Sequence, residues 1–325
     1  MRLSRRQFLQ SAAAAAPAAS LFAAPALAQK VIFESLNLFV PAGAGGGWDG
    51  VARAIDQVAR STNLIGSATV ENVGGAGGTV GLPRFINQRR GQSNALMISG
   101  GVMTGAVITN KSPVGLGDVT PIARLTEEAG VIVVSAKSPH TTFKDFAEAL
   151  RANPGLPVGG GSAGGIDHMT LGLLIKTLGG EARRASYVAF PASAQAQATI
   201  ITGQVAAGIS GYSEFAEQIR AGQMRALATT GEVRTPGLDL PTLKELGYDV
   251  VLTNWRGIFA PPGMSAADTA ALVRFAESLY AQPAWKELLR TRRWDDAFLV
   301  GDSFKRFLDA DQAKMRSVLQ DIGLA

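Results

Sequence analysis

The chain has 325 residues, a formal net charge of +5, 46% hydrophobic and 18% charged residues, which suits two lobes of ordinary size and excludes wholesale disorder. It has no cysteine, so disulfides, thiolate metal sites, iron–sulfur clusters and cysteine nucleophiles are excluded. Its only histidines are His140 and His168, too few for a His-rich metal site, and its 38 glycines are the compositional oddity.

The chain opens with an export signal. Ser4-Arg5-Arg6-Gln7-Phe8-Leu9 is a twin-arginine pattern, an uncharged alanine-rich run covers 11–27, and Ala26-Leu27-Ala28 forms a cleavage site. Residues 1–28 are thus expected to be a twin-arginine signal peptide and Gln29 the mature start. Its loss removes three arginines and no acid, so the net charge falls to +2 and the case for nucleic acid weakens. No later stretch offers 18 consecutive apolar residues, and the reading is a folded protein exported to the periplasm.

Short apolar runs then alternate with helical periodicity. Strands are predicted at 36–40, 68–70, 95–99, 130–135, 157–158, 187–190, 205–209 and 225–228. Helices are predicted at 49–60, 80–88, 143–152, 169–178, 194–201, 214–221, 266–280, 284–290 and 303–322. This alternation predicts an α/β fold with parallel sheets covered by helices. Two lobes without a linker imply a chain that crosses over and returns, with 120–137 and 249–257 as the crossover segments.

Three glycine clusters lie between a predicted strand and a predicted helix: 43–49, 74–78 and 159–165. Glycine lets backbone N–H groups approach a ligand closely, and the helix start adds unpaired donors and partial positive charge. Strand ends of a parallel sheet share an edge, so three such loops in one chain point to an anion site. Two motif matches fail on context. Gly159-x-Gly161-x-x-Gly164 fits a dinucleotide fingerprint, but the preceding strand is short and lies mid-chain. Gly160-x-Ser162-x-Gly164 fits a nucleophile elbow, but His140 precedes Ser162 and His168 follows it by only six residues. A serine hydrolase using Ser162 remains the rival function of another class. His168 reads as a helix-face residue near the cleft or as a core histidine. Asp295-Asp296 reads as solvated charge in a helical C-terminal region, and no cofactor or metal is implied.

At these loops the sequence resembles the solute-binding receptors of tripartite tricarboxylate transporters, the Bordetella uptake gene family. Pro41-Ala42-Gly43 with Gly46-Gly47-x-Asp49-x-x-Ala52-Arg53 resembles the first loop and helix of that family. Val70-Glu71-Asn72-x-x-Gly75-Ala76-Gly77-Gly78 resembles the second, and Gly161-Ser162-Ala163-Gly164 the third. Tyr187-Val188-Ala189-Phe190 with Gly203-Gln204-Val205, and Leu240-Pro241-Thr242 with Glu245-x-Gly247-Tyr248, resemble later units. The extra glycines before Asp49 and the Arg90-Gly91-Gln92 stretch look more like the citrate receptors than the amino-acid-binding branch.

The resemblance implies a two-lobe type II periplasmic binding protein with the ligand cleft between lobes, lobe one at 29–128 plus 254–325 and lobe two at 129–253. It implies no enzyme, a monomer, and partnership with the large and small membrane subunits of such a transporter. The implied site takes Gly46, Gly47, Trp48, Asp49, Asn72, Gly75, Ala76, Gly77 and Gly78 from the first two loops, which grip one carboxylate by N–H groups and bridging water. Ser162, Ala163, His168, Tyr187, Phe190, Ala192, Ser193 and Ser210 complete the wall, and Arg256 is expected to meet a further carboxylate. No acidic residue is evident at the matched pocket positions, where Ser210-Gly211-Tyr212 replaces the usual acid, and this disfavours a ligand with an ammonium group. The ligand expected is citrate or a similar di- or tricarboxylate. An aromatic dicarboxylate such as terephthalate is the runner-up, because Trp48, Tyr187, Phe190 and Tyr212 offer a stacking face.

Overall fold

The computed structural model of the chain describes residues 31–191 and 193–325; the signal peptide expected at 1–28 and the site residue Ala192 lie outside them. The chain runs β1 (Phe33–Val40), α1 (Gly47–Ser61), β2 (Ile65–Asn72), α2 (Gly81–Gln88), β3 (Ala95–Gly100), α3 (Gly101–Thr109) and β4 (Thr120–Ser135). It continues through α4 (Phe143–Ala152), β5 (Val158–Gly160), α5 (Ile166–Thr177), β6 (Tyr187–Ala189), α6 (Ser193–Ile201), β7 (Ala207–Gly211), α7 (Tyr212–Arg220) and β8 (Met224–Thr229). It ends with β9 (Thr253–Ala260), α8 (Ala266–Tyr280), α9 (Pro283–Arg292), β10 (Asp295–Val300) and α10 (Gly301–Asp321).

The strands hydrogen-bond in the order β2-β1-β3-β9-β4-β7-β5-β6, with β8 and β10 also paired to β4. The 16-residue β4 joins two arrays. Residues 120–129 pair with β9, and residues 130–135 pair with β7 and β8. Within each array the crossover strands are parallel, β1 with β2 and β3, β5 with β6 and β7. Every pairing made by β4, and that of β9 with β3, is antiparallel. The sheet is therefore mixed, not the purely parallel one expected. The predicted crossover segments are themselves strands, and a chain that passes between arrays as a strand, without a covering helix, is free to pair antiparallel.

Each array has its own core. Leu36, Leu38, Val51, Ile55, Phe85, Leu96, Ile98 and Phe259 belong to one buried cluster. Along β4, Ile132 and Val134 face one cluster while Val131 and Val133 face another, the period-2 alternation of a strand covered on both faces. A fourth cluster packs Ile166 and Met169 of α5 against Met315 and Leu319 of α10.

Besides β9, which stands where only a crossover segment was expected, two elements escaped prediction. Helix α3, Gly-Val-Met-Thr-Gly-Ala-Val-Ile-Thr, has apolar or small residues all round and no polar stripe to set a helical period. Strand β10 falls where the chain was expected to stay helical. Asp295 and Asp296 therefore begin a strand, and Asp296 accepts hydrogen bonds from the Tyr280 hydroxyl at 3.0 Å and Lys286 Nζ at 2.9 Å.

Candidate ligand-binding cleft

The first glycine loop joins β1 to α1 and is braced from behind. Asp49, in the first turn of α1, is 2% exposed. Its Oδ2 accepts from the Gly45 N–H at 2.9 Å and from Arg53 Nε at 2.8 Å, and its Oδ1 from Asn72 Nδ2 at 3.0 Å. Asn72 also donates to the Ala42 carbonyl at 3.2 Å, tying the loop to the end of β2. Burial opposes ionisation of Asp49, but these donors outweigh it and hold the carboxyl below its usual pKa.

The second loop runs through four successive left-handed residues, Gly75 (φ +137°), Ala76 (+45°), Gly77 (+63°) and Gly78 (+91°). Glycine accepts this conformation without steric cost. The turn closes with the Gly78 N–H donating to the Gly75 carbonyl at 2.9 Å, and Asn110 Nδ2 donates to the Ala76 carbonyl at 2.9 Å.

The third loop is held by its following helix and by β6. The Gly161 N–H donates to Asp167 Oδ2 at 2.9 Å, the Gly164 N–H to His168 Nδ1 at 3.1 Å, and the Tyr187 hydroxyl to the Gly161 carbonyl at 2.9 Å. The His168 ring lies stacked on Tyr187, with centroids 4.4 Å apart. Burial lowers the His168 pKa, and its Nδ1 is occupied as an acceptor. No hydrogen bond joins Ser162 to a histidine among the described residues, so the Ser–His contact of a hydrolase is not formed there.

The three loops converge on one cleft of about 890 Å³, its open mouth included. Gly46, Gly47, Trp48, Gly75, Ala76, Gly77, Gly78, Ser162, Phe190, Ser193, Ser210 and Arg256 line it together. Asp49, Asn72, Ala163, His168 and Tyr187, also candidates, are not on its wall; Asp49, Asn72, His168 and Tyr187 brace the loops from outside it. Tyr212, offered for stacking, lies off this wall as well. A Cβ at Gly77 would come 3.4 Å from the Ser162 Cβ, and one at Gly78 would come 3.0 Å from the Trp48 ring.

The electrostatics correct the expectation of an acid-free pocket: Asp167 and Glu214 both line it. Arg256, 1% exposed, donates through Nη1 to the equally buried Glu128 Oε2 at 2.6 Å. Its Nη2 lies 3.6 Å from Glu214 Oε1, and its Nε and Nη2 have no hydrogen-bond partner among the described residues. The guanidinium expected to meet a ligand carboxylate is thus already neutralised on one side by the protein. Glu128 Oε1 accepts the Ser213 N–H at 2.6 Å, and Glu214 accepts the Ser193 hydroxyl. Burial pushes the Asp167 pKa up to about 7 against the lowering effect of the Gly161 N–H. Burial also raises that of Glu214, despite the nearby Arg256. Sequence reasoning missed both acids. Each lies in the first turn of a helix, Asp167 right after the third glycine loop, but which way that turn faces is a tertiary property.

The tripartite tricarboxylate transporter family receptor matches residues 51–324. The chain belongs to that family. A relative from Cupriavidus necator, named as the UPF0065 protein in the gbd 5' region, is 26% identical over 99% of both chains. MatC from Rhodopseudomonas palustris, solved with bound malate, is 22% identical with a TM-score of 0.76, covering 88% of this chain and 98% of its own. Another R. palustris protein, solved with adipate, is 21% identical with a TM-score of 0.81, covering 89% of this chain and 97% of its own. These likenesses show the fold, that of a two-lobe periplasmic binding protein with its cleft between lobes. The family is one of solute-binding receptors that work with transporter membrane subunits. Among the described residues the receptor has no helix long and apolar enough to cross a membrane.

Proposed function

We propose that this receptor captures a small carboxylate in the cleft, in the periplasm, and delivers it to the large and small membrane subunits of a tripartite transporter. The observation that supports this reading most is the convergence of three glycine loops, two of them opening helices, on one cavity. Backbone N–H groups there suit one carboxylate, directly or through water. Charge-assisted hydrogen bonds contribute about 1.5–3 kcal/mol each. About four of them, less the cost of ordering, suffice for micromolar binding near −8 kcal/mol.

In this proposal lobe one comprises 29–128 plus 254–325 and lobe two 129–253. The change of partners along β4 at 129 to 130 supports that border. The receptor acts as an exported monomer. Citrate fits the family resemblance, but Asp167 and Glu214 would face its additional carboxylates, so ligands with fewer negative charges suit this wall better. Calorimetry with citrate, succinate, terephthalate and aspartate tests the reading. Saturable binding of at least one, without turnover, is expected; binding of none would overturn the assignment as a carboxylate receptor.

A further inference from the structure

We propose that the receptor holds a second anion site, separate from the ligand cleft, where Arg220, Arg292 and Arg293 receive a doubly charged inorganic oxyanion, phosphate or sulfate. The inference does not depend on which solute the cleft takes.

A second cavity, of about 970 Å³ with its open mouth included, adjoins the cleft across Gly46, Gly47 and Glu214, which line both. The partition is closed. A Cβ on Gly47 would stand 2.7 Å from Arg256 Nη2 and 3.0 Å from Glu214 Oε1, so the three pack against one another. Arg256 lines the cleft and not the second cavity, whereas Arg220, Arg292, Arg293 and Trp294 line the second cavity and not the cleft.

The charge on this wall is uncompensated. Among the described residues, none of the three arginines has a carboxylate oxygen within 4.0 Å. Arg292 donates to the Gly50 carbonyl at 3.3 Å and lies 5.0 Å from the centre of the Trp294 ring; Arg293 donates to the Pro236 carbonyl at 3.1 Å. These partners carry no charge. Burial lowers the Arg292 pKa, with Glu128 acting against that shift and Arg256 adding to it. The wall's one acid, Glu214, already accepts the Ser193 hydroxyl and faces Arg256, and burial favours its neutral form. An anion between the arginines would supply the missing counter-charge.

Arg220 and Arg292 stand in the last turns of α7 and α9, where a cation is favourable without any ligand. That role accounts for each charge singly. It does not account for their convergence on a cavity that the first turns of α1 and α7 also line, through Gly47, Gly50, Tyr212 and Ser213. Neither of those helix starts has a side-chain cap, and the glycines bring bare backbone to the wall. Guanidinium forks reaching one cavity from α7 and from the end of α9 suit a tetrahedral dianion, whose oxygens point several ways, better than a planar carboxylate. Residue 220 belongs to the proposed lobe two and residues 292 and 293 to lobe one, so the anion would bridge them.

The experiment is calorimetry on the intact receptor with phosphate and with sulfate, against chloride at matched ionic strength. Saturable binding of one phosphate or sulfate per receptor is expected, with none for chloride. Arg220→Gln and Arg292→Gln should each weaken it about tenfold or more, while Gly77→Val, which alters the cleft, should leave it within about twofold. Arg220 is exposed at the end of α7, so its replacement keeps the fold even where that of Arg292 does not. A carboxylate shown to bind the cleft should keep or gain affinity in saturating phosphate, because the two sites fill together. No saturable binding of either oxyanion overturns the inference and leaves the carboxylate receptor standing. Phosphate that competes with the carboxylate, or whose binding is lost in Gly77→Val and kept in both arginine variants, belongs to the cleft and overturns the second site.

Discussion

A Cβ at Gly77 would stand 2.4 Å from the Ala106 Cβ, on a backbone with φ of +63°. Strain and clash therefore act at the same position, where the second loop leans on α3 and faces Ser162. Gly77→Val should leave a folded receptor, checked by circular dichroism, and weaken carboxylate binding by about 100-fold or more in calorimetry; unchanged affinity would remove this loop from the site. Asp167 makes a prediction of the opposite kind. Its folded pKa, about 7, stands well above the ordinary carboxylate value of 3.8 expected for the unfolded chain, so the native state retains a proton that the unfolded state releases. The associated stability is fully present below about pH 4 and is lost as pH rises through 7, by at most about 4 kcal/mol. The denaturation midpoint of the ligand-free receptor should therefore fall between pH 5 and pH 8, and Asp167→Asn should flatten that slope. A slope unchanged by the substitution would place the titration elsewhere.

Strands β4 and β9 lie side by side in the centre of the sheet, and Glu128 on one meets Arg256 on the other with both side chains 1% exposed. Removing one member leaves its partner charged and out of water. Arg256→Met should cost about 3–5 kcal/mol in denaturant unfolding, and adding Glu128→Met should recover most of it. A single substitution that costs under about 1 kcal/mol would mean water enters the pair. Helix α3 works differently at the same scale. Its Gly105 lets the Gly164 carbonyl of the third loop approach to 2.2 Å from where a Cβ would sit. Small residues here bring loops two and three together, and the same small residues deprive α3 of a readable amphipathic pattern.

Across the whole molecule, β4 and α10 connect what the proposal treats as two lobes. Strand β4 changes partners midway, and α10 packs on both α3 and α5. Two arrays joined by strands, with the glycine loops of both on one cleft, suit closure around a ligand by bending at the shared strands. Small-angle scattering should show a smaller radius of gyration on saturation with a carboxylate that calorimetry has shown to bind. No change at saturation would argue for a cleft already closed.

What the sequence determined by itself was local. Helices at 143–152 and 266–280 stand where their periodicity put them, because an amphipathic stripe and a Ser or Thr cap are written in neighbouring residues. The three glycine loops were legible for the same reason, and the motif residues around them carried the family resemblance over most of the chain. The tertiary structure alone decided which loop residues face the cleft and which brace it, as with Asp49 and His168. It also decided that β4 and β9 run antiparallel, and that Asp167, Glu214 and Glu128 gather around Arg256. The last two are separated from each other by 128 positions in the chain. No spacing rule relates residues so far apart; only the packing of two arrays along β4 brings their charges within reach of one another.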